Sequence, residues 1–245
     1  MPRKSTSRAS NANNDVKHDP PKTLEDHPFF GLKLDEEQRA FRDAIWSDDY
    51  DIVFANAKAG TGKTTLAVAT ALLLVQYGKY NGVVYGTAGG VHEYKQGLLP
   101  GSLEEKSAPL FIPLYQAVAR LNYDPQRVIV NDFNMLAQKD GMAMISAMTD
   151  SYIRGMSIGE KGSPVVVILD EMQNETLPGL RTLLSRVNDG SKVICIGHMG
   201  QIDLKYPQDS GFARAIERYS KESWCKVCTL SKNYRGKISS VADEL

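Results

Sequence analysis

The stretch that decides the fold is NAKAGTGKTTLAVATALLL, residues 56–74. Its segment A-K-A-G-T-G-K-T, residues 57–64, matches the phosphate-loop pattern G-x-x-x-x-G-K-[ST] except that Ala57 stands at the first glycine position. Glycines let the backbone turn successive N–H groups toward phosphate oxygens, and the helix that follows adds the positive end of its dipole. The stretch therefore predicts a phosphate-binding loop, and an ordinary glycine-rich turn before a core helix is the less favoured alternative.

Two polar side chains of this loop have expected roles. The Lys63 ammonium is expected to bridge the β- and γ-phosphates of a nucleotide, and the Thr64 hydroxyl is expected to hold Mg²⁺. The residues predicted to bind nucleotide here are Ala57, Lys58, Ala59, Gly60, Thr61, Gly62, Lys63, Thr64 and Thr65.

Short apolar runs recur along the chain, and helical patterns lie between several of them. The predicted strands are YDIVFANA, NGVVYGTA, QRVIVN, SPVVVILD, SKVICIG and WCKVCTL. The predicted helices cover residues 63–77, 176–187 and 211–219. Most of the strands are apolar without alternation, as strands covered on both faces are. This order predicts an α/β fold with a mostly parallel sheet between helical layers.

A pair of acidic residues follows one of the predicted strands. In VVVILDEMQN, residues 165–174, Asp170 and Glu171 come directly after the apolar run. In a parallel sheet, ligands bind at the carboxyl ends of the strands. Asp170 is expected to hold Mg²⁺ through water, and Glu171 to orient the attacking water as a general base. Together with the loop, this motif predicts hydrolysis of a nucleoside triphosphate.

Composition sets broad limits on the protein. The 245 residues allow one large domain or a domain plus extensions, and a composition of 42% hydrophobic and 24% charged residues is typical of a soluble globular chain. The formal net charge of +0 means that any binding of nucleic acid needs a local basic patch. No apolar run reaches the roughly 18 residues of a membrane span, and no signal peptide is recognisable. We expect a cytoplasmic protein without a membrane partner.

The sequence also predicts how the chain is divided into a tail and a domain. Residues 1–28 read as a flexible, polar and mildly basic tail, for which solvation is favoured over contact with nucleic acid. Residues 29–245 read as a single domain. Three cysteines are too few for a disulfide framework, and Cys225 and Cys228, although spaced like metal ligands, sit in a strand-like run that favours packing in the core.

A long segment around the acidic motif resembles a known family. VVVILDEMQNETLPGLRTLLSRVNDGSKVICIGHMGQIDL, residues 165–204, is similar to the PhoH-like ATPases, relatives of superfamily 1 helicases, whose pattern runs I-L-D-E-A-Q-N, T-R-I-G-x-G-S-K and G-D-x-x-Q-I-D-L. The segments GLLPGSLEEKSAPLFIPLYQAV (97–118) and SYIRGMSI (151–158) resemble further family motifs. The resemblance covers roughly residues 30–220. It implies a three-layer RecA-like P-loop NTPase core that uses ATP and Mg²⁺.

The resemblance assigns roles to three residues outside the loop. Gln201 matches a glutamine that senses the γ-phosphate. Arg154 matches a family arginine to which no role can be given from the sequence. Gln38 resembles a glutamine that reads adenine through its amide, although a solvated residue on an amphipathic helix is an equal alternative.

Two positions depart from the family pattern. His198 stands where the family has Asp, and we expect an imidazole there to change the charge near the phosphates and to weaken Mg²⁺-dependent turnover. The segment YGTAGG, residues 85–90, lacks the Arg-Pro pair that the family shows after its second strand. A contact to backbone or nucleic acid is therefore expected to be missing.

The last sixteen residues, LSKNYRGKISSVADEL, resemble the N-Y-R-S motif that opens the second motor domain of superfamily 1 helicases. No second domain follows in this sequence, so an arginine that completes the site would come from another copy of the chain. Arg235 is the candidate, with Arg214 and Arg218 as further candidates; the alternative is that Arg235 is a surface arginine on a terminal helix without this role. Family resemblance then implies a homo-oligomeric ring of about six copies.

Two functional classes stay open. The first is an ATP-driven, helicase-like motor on RNA or single-stranded DNA. The second is a nucleotide-gated regulatory or assembly ATPase, linked by family association to the phosphate-starvation response. The segment GVHEYKQG, residues 90–97, carries His92, Tyr94 and Lys95, which suit base stacking and phosphate contact but equally suit a surface loop.

Overall fold

The computed structural model describes residues 20–24, 29–88, 108–131 and 143–242. Within these residues, seven parallel strands form one sheet in the order β3-β4-β2-β5-β6-β1-β7. The strands are β1 Ile52–Ala57, β2 Val83–Thr87, β3 Ile129–Asn131, β4 Ile145–Thr149, β5 Val166–Asp170, β6 Lys192–Gly197 and β7 Cys225–Leu230. The expected parallel sheet is confirmed, and every strand pair in it is parallel.

Helices cover both faces of this sheet. They are α1 Glu36–Trp46, α2 Lys63–Gln76, α3 Ile112–Arg120, α4 Pro125–Val128, α5 Asp150–Ile153, α6 Leu177–Leu184, α7 Phe212–Tyr219 and α8 Lys237–Ala242, with 3-10 turns at Ala108–Phe111, Met172–Asn174 and Pro207–Asp209. One core contains side chains of α1, α2 and α3, and the other contains side chains of α6 and α7. The two cores make a three-layer α/β/α domain. None of the helices in the described part of the chain is long and apolar enough to cross a membrane.

The central strands and α2 follow from their composition. Every residue of β5 and β6 is buried, as expected for apolar runs covered by helices on both faces. Helix α2 is buried on most sides, and nine of its fourteen residues are buried. It ends before Gly78, whose φ of 69° is the left-handed conformation that glycine adopts at helix ends.

Two parts of the sheet differ from the predicted strands. Strand β4, with the sequence ISAMT, was not predicted because it has one large aliphatic residue and buries only alternate positions. The run QRVIVN is a strand only in its second half. Its first half belongs to α4, where the Asp124 carboxylate accepts a hydrogen bond from the N–H of Gln126 and Pro125 favours a helix start.

The first described residues contact the domain. The Trp46 indole donates a hydrogen bond of 2.9 Å to the Pro21 carbonyl, and Leu24 packs against the core on the α1 side. The rest of the predicted tail lies outside the described residues, so the boundary between residues 28 and 29 stays a prediction.

The three cysteines lie in the sheet. Cys195 and Cys228 are buried and Cys225 is half-buried. Burial raises the pKa of the Cys228 thiol to about 11, which keeps it protonated. This environment suits the packing role that the sequence favours.

Lys192 is a buried charge that supports the fold. Its Nζ donates hydrogen bonds to the carbonyl oxygens of Ser47, at 2.8 Å, and Tyr50, and burial lowers the pKa of Lys192 to about 8. We expect Lys192→Met to lower the free energy of unfolding by about 1–3 kcal/mol, because both carbonyls lose their donor. Urea unfolding measures the loss. The exposed Lys221→Met variant should match the parent, and equal midpoints for Lys192→Met and the parent would contradict the role.

Candidate nucleotide site

A cavity of about 640 Å³ lies where β1, β5 and β6 end. It brings together most of the predicted site residues, from the loop, the acidic motif and both flanks of the domain. The predicted residues that line it are Gln38, Ala59, Gly60, Gly62, Lys63, Thr64, Thr65, Glu171, Gln201 and Arg235. Four predicted residues do not line it: Ala57, Lys58, Thr61 and Asp170.

The loop between β1 and α2 is shaped to receive an anion. Gly60 and Gly62 have φ angles of 74° and 83°, which a side chain rarely adopts. In the described part of the chain, no acceptor is bonded to the backbone N–H groups of residues 60–65, and α2 has no side-chain cap. Unpaired N–H groups at a helix start are a binding site for phosphate oxygens. The residues present therefore fit a nucleotide phosphate.

The predicted lysine and general base form an ion pair. The Lys63 Nζ lies 3.1 Å from the Glu171 Oε1, and the side chains are 12% and 37% exposed. Burial opposes ionisation of Glu171, but the Lys63 charge and the hydrogen bonds from Gln173 and Lys63 together hold the pKa of Glu171 below its usual value. Each group thus neutralises the charge of the other.

Asp170 is held at the bottom of the site, beneath the cavity surface. Its Oδ2 accepts hydrogen bonds from the Thr64 hydroxyl at 2.7 Å and from the Tyr85 hydroxyl at 2.9 Å. The side chain is fully buried, and burial together with the Glu171 charge raises the pKa of Asp170. Tyr85 was not predicted as a site residue, because nothing in its sequence context indicates that its hydroxyl binds in the site.

The donor set beside the loop fits Mg²⁺. A hydroxyl and a carboxylate oxygen are hard ligands of the kind that Mg²⁺ prefers, and they already touch each other. Among the described residues, no group of three or more His, Cys, Asp or Glu side chains could hold a metal by itself. In nucleotide sites, Mg²⁺ usually takes its remaining ligands from water and substrate phosphates. Thr64 and Asp170 are the residues that would hold it.

Glu171 is fixed from the side away from Lys63. Its φ is 57°, an uncommon conformation for a residue with a side chain and a frequent one at functional sites. The buried Gln173 amide donates to Glu171 Oε2 at 2.7 Å and accepts the N–H of His198 at 3.0 Å. Gln173 was missed as a site residue, although it stands at the glutamine of the family motif. His198 thus reaches the site through its backbone, and the effect of its imidazole stays a prediction.

Gln38 is bonded to its own chain at both ends of its amide. Its Nε2 donates to the Thr61 carbonyl at 2.9 Å, and its Oε1 accepts the N–H of Asp35 at 3.1 Å in a capping box. The side chain is buried and ties α1 to the phosphate loop. A bidentate contact to adenine would require the amide to leave these partners.

The segment after β7 lies on the phosphate loop of the same chain. The Tyr234 N–H donates to the Gly60 carbonyl at 2.9 Å, and the Tyr234 hydroxyl donates to Asp35 Oδ2 at 2.5 Å. A Cβ at Gly60 would lie 2.4 Å from Asn233 Oδ1 and 3.0 Å from Arg235 Cγ. The sequence predicts that Arg235 acts on a neighbouring copy, whereas in the structure it lines the cavity of its own chain.

The other singled-out residues lie elsewhere. Arg214 and Arg218 line a separate cavity of about 490 Å³ between α6 and α7, where Arg218 pairs with Glu222 at 2.5 Å. Arg154 pairs with two carboxylates behind the acidic motif. His92, Tyr94 and Lys95, and the end of the segment YGTAGG, lie outside the described residues.

Comparison with known proteins gives consistent matches. Protein PhoH2 of Bacillus subtilis is 30% identical over 226 residues, which is 91% of this chain and 49% of that protein. A PhoH-like protein of Mycobacterium tuberculosis is 32% identical over 180 residues, which is 74% of this chain and 47% of that protein. The chain thus spans about half the length of these relatives. Among solved structures, the large terminase of bacteriophage HK97 aligns with a TM-score of 0.49 at 16% identity, over 84% of this chain and 41% of that one.

The fold and the family agree. A phosphate loop after β1 and an acidic motif after β5, in a parallel sheet between two helical layers, make the RecA-like P-loop NTPase architecture. The family model for PhoH-like proteins matches residues 33–240, which includes every described element of the site. The chain therefore belongs to the PhoH-like protein family.

Proposed function

We propose that this protein is a Mg²⁺-dependent ATPase. The observation that carries the proposal is the meeting of Lys63, Thr64 and the Asp170–Glu171 pair at the carboxyl ends of β1 and β5. They lie beside backbone N–H groups that have no acceptor among the described residues. These groups supply what hydrolysis of a phosphoanhydride needs: a cationic cradle, a metal site and a base for water.

The ion pair between Lys63 and Glu171 suggests how the site changes on binding. Lys63 would leave Glu171 for the β- and γ-phosphates, and Glu171 would then be free to accept a proton from the attacking water. Thr64 and Asp170 would hold Mg²⁺, which neutralises charge on the phosphate oxygens. Gln173 would keep the Glu171 carboxylate in place through its 2.7 Å hydrogen bond.

Gln201 and Arg235 would complete the phosphate end of the cavity. Both line it, from the loop after β6 and the segment after β7 respectively. We propose that Gln201 contacts the γ-phosphate and that Arg235 stabilises charge on the transferred group from within its own chain. An arginine in this role is worth roughly 10³–10⁵-fold in rate in related enzymes.

Gln38 gives a prediction about affinity. Because its amide holds the Thr61 carbonyl, we expect Gln38→Ala to loosen the loop and to weaken ATP and GTP binding alike, by about threefold to tenfold. Equilibrium titration with both nucleotides measures this. Gln76→Ala, an exposed glutamine at the far end of α2, is the matched control. A loss confined to ATP would instead support adenine reading by Gln38.

We further propose that ATP turnover is coupled to binding or remodelling of RNA or single-stranded DNA. The proposal rests on the RecA-like fold and on family membership, and the chain spans only about half of its curated relatives. The decisive measurement is the ATPase rate of the purified protein with poly-U RNA, with single-stranded DNA of equal length, and with heparin as a polyanion control. Stimulation by nucleic acid and not by heparin supports the motor. No stimulation supports the alternative, a regulatory or assembly ATPase linked to phosphate starvation.

The proposed assembly is a homo-oligomeric ring of about six copies. Sedimentation gives the mass of the parent protein, and a monomer with full activity would contradict the ring.

Mixing an Arg235→Ala chain with a Lys63→Ala chain tests where the arginine acts. Because Arg235 lines its own cavity, we expect no recovery of activity. Recovery would mean that Arg235 works on a neighbouring copy.

A further inference from the structure

A buried ion-pair cluster lies behind the acidic motif. The Arg154 Nη2 contacts Asp150 Oδ2 at 2.9 Å and Glu175 Oε2 at 2.8 Å. The two carboxylate side chains are only 4% and 6% exposed, whereas Arg154 is 40% exposed. Burial of two carboxylates is costly unless a cation compensates for them, so the position of Glu175 depends on Arg154.

Glu175 closes the short turn that begins at Glu171. In this turn the N–H of Asn174 bonds to the Glu171 carbonyl at 2.9 Å, and the N–H of Glu175 bonds to the Met172 carbonyl at 3.1 Å. Between them, Gln173 holds the Glu171 carboxylate. Because the turn has so few residues, a displacement at Glu175 reaches the backbone of Glu171, which already has an uncommon φ of 57°.

On the side away from this turn, Glu175 contacts backbone groups of the following segments. Its Oε1 accepts the N–H of Thr176 at 2.8 Å, and its carbonyl accepts the N–H of Gly211 at 2.8 Å. A Cβ at Gly179, in the first turn of α6, would lie 1.8 Å from Glu175 Oε1 and 2.9 Å from Arg154 Nη2. The helix thus packs directly on the ion pair and leaves Glu175 no space on that side.

We infer that Arg154 is a positioning residue for Glu171, which it holds in the orientation needed for water activation by fixing Glu175 at the end of the turn. The inference rests on the proposed ATPase function of Glu171. It assigns Arg154 a role at a distance from the nucleotide, since Arg154 does not line the cavity.

The test compares turnover, affinity and backbone protection. Arg154→Met should lower kcat by about tenfold or more, while the affinity for a fluorescent ATP analogue stays within about twofold. Without nucleotide, amide hydrogens of residues 171–175 should exchange faster than in the parent. Arg154→Lys keeps the charge, so its kcat and its exchange rates should lie between those of the parent and those of Arg154→Met. Combining Arg154→Met with Glu175→Gln should cost no more than the worse single change, because both act through one contact.

The matched control removes an ion pair far from the site. Lys79→Met breaks the 2.6 Å contact with Asp48 and should lower stability while leaving kcat and the exchange of residues 171–175 unchanged. An equal loss of kcat in this control would overturn the inference, as would parent kcat and parent exchange in Arg154→Met. If Arg154→Met does not fold, Glu175→Gln carries the same readouts. If the parent hydrolyses no ATP, the proposed function fails, and the exchange measurement still decides whether Arg154 orders the turn.

Discussion

Glu171→Gln is expected to bind ATP at least as tightly as the parent and to turn it over roughly 10²–10⁴-fold more slowly. The slower turnover follows because an amide cannot accept the proton of the attacking water, and general-base catalysis is typically worth this factor. The retained affinity follows from the ion pair: Glu171 competes with phosphate for the Lys63 ammonium at 3.1 Å, and the amide competes less.

Single-turnover kinetics and equilibrium binding separate these two effects. Glu217→Gln, the same change at an exposed position of α7, is the matched control and should keep the parent rate and affinity. Parent turnover by a folded Glu171→Gln protein would remove Glu171 from the chemistry. Loss of binding in the same variant would mean that Glu171 holds the loop together rather than activating water.

The sequence predicts the centre of the fold well because the centre is built from local patterns. Strands β1, β5 and β6 are continuous apolar runs that need cover on both faces, and this need is visible in any short window. Strand β4 fails this test, since it has the composition ISAMT and lies between β2 and the three-residue β3, where burial is incomplete. Its identity as a strand depends on its neighbours in the sheet, which composition does not encode.

In the candidate site, too, the residues that belong to local patterns are predicted and those that depend on strand order are not. Lys63 and Thr64 are predicted from one loop, and Asp170 and Glu171 from one strand end. The position of Arg235 depends instead on strand order. Because β7 pairs with β1 in a register that sets Leu230 beside Ala57, the chain leaves β7 next to the phosphate loop. The sequence does not reveal the strand order, and for that reason it predicts that Arg235 acts on a neighbouring copy.

Lys63→Ala is expected to weaken ATP binding on the order of 10²-fold. The variant loses a charge-assisted contact to phosphate, worth about 1.5–3 kcal/mol. It also leaves Glu171, which lines the cavity, without its cation, so an unpaired carboxylate faces the incoming phosphates. Equilibrium binding measures the affinity. Lys63→Arg, which keeps the charge, should retain part of it, and Lys161→Ala, an exposed lysine in a surface turn, should match the parent.

The double variant Lys63→Ala/Glu171→Gln separates the two contributions to this loss. If the unpaired Glu171 carboxylate repels phosphate, neutralising it should restore part of the affinity, so that the double variant binds ATP more tightly than Lys63→Ala alone. The reason is that the two side chains share one ion pair, and changes at contacting residues do not add. An affinity in the double variant equal to that of Lys63→Ala would show that Glu171 does not oppose phosphate binding. The proposal that Lys63 leaves Glu171 to bind the nucleotide would then have to be abandoned.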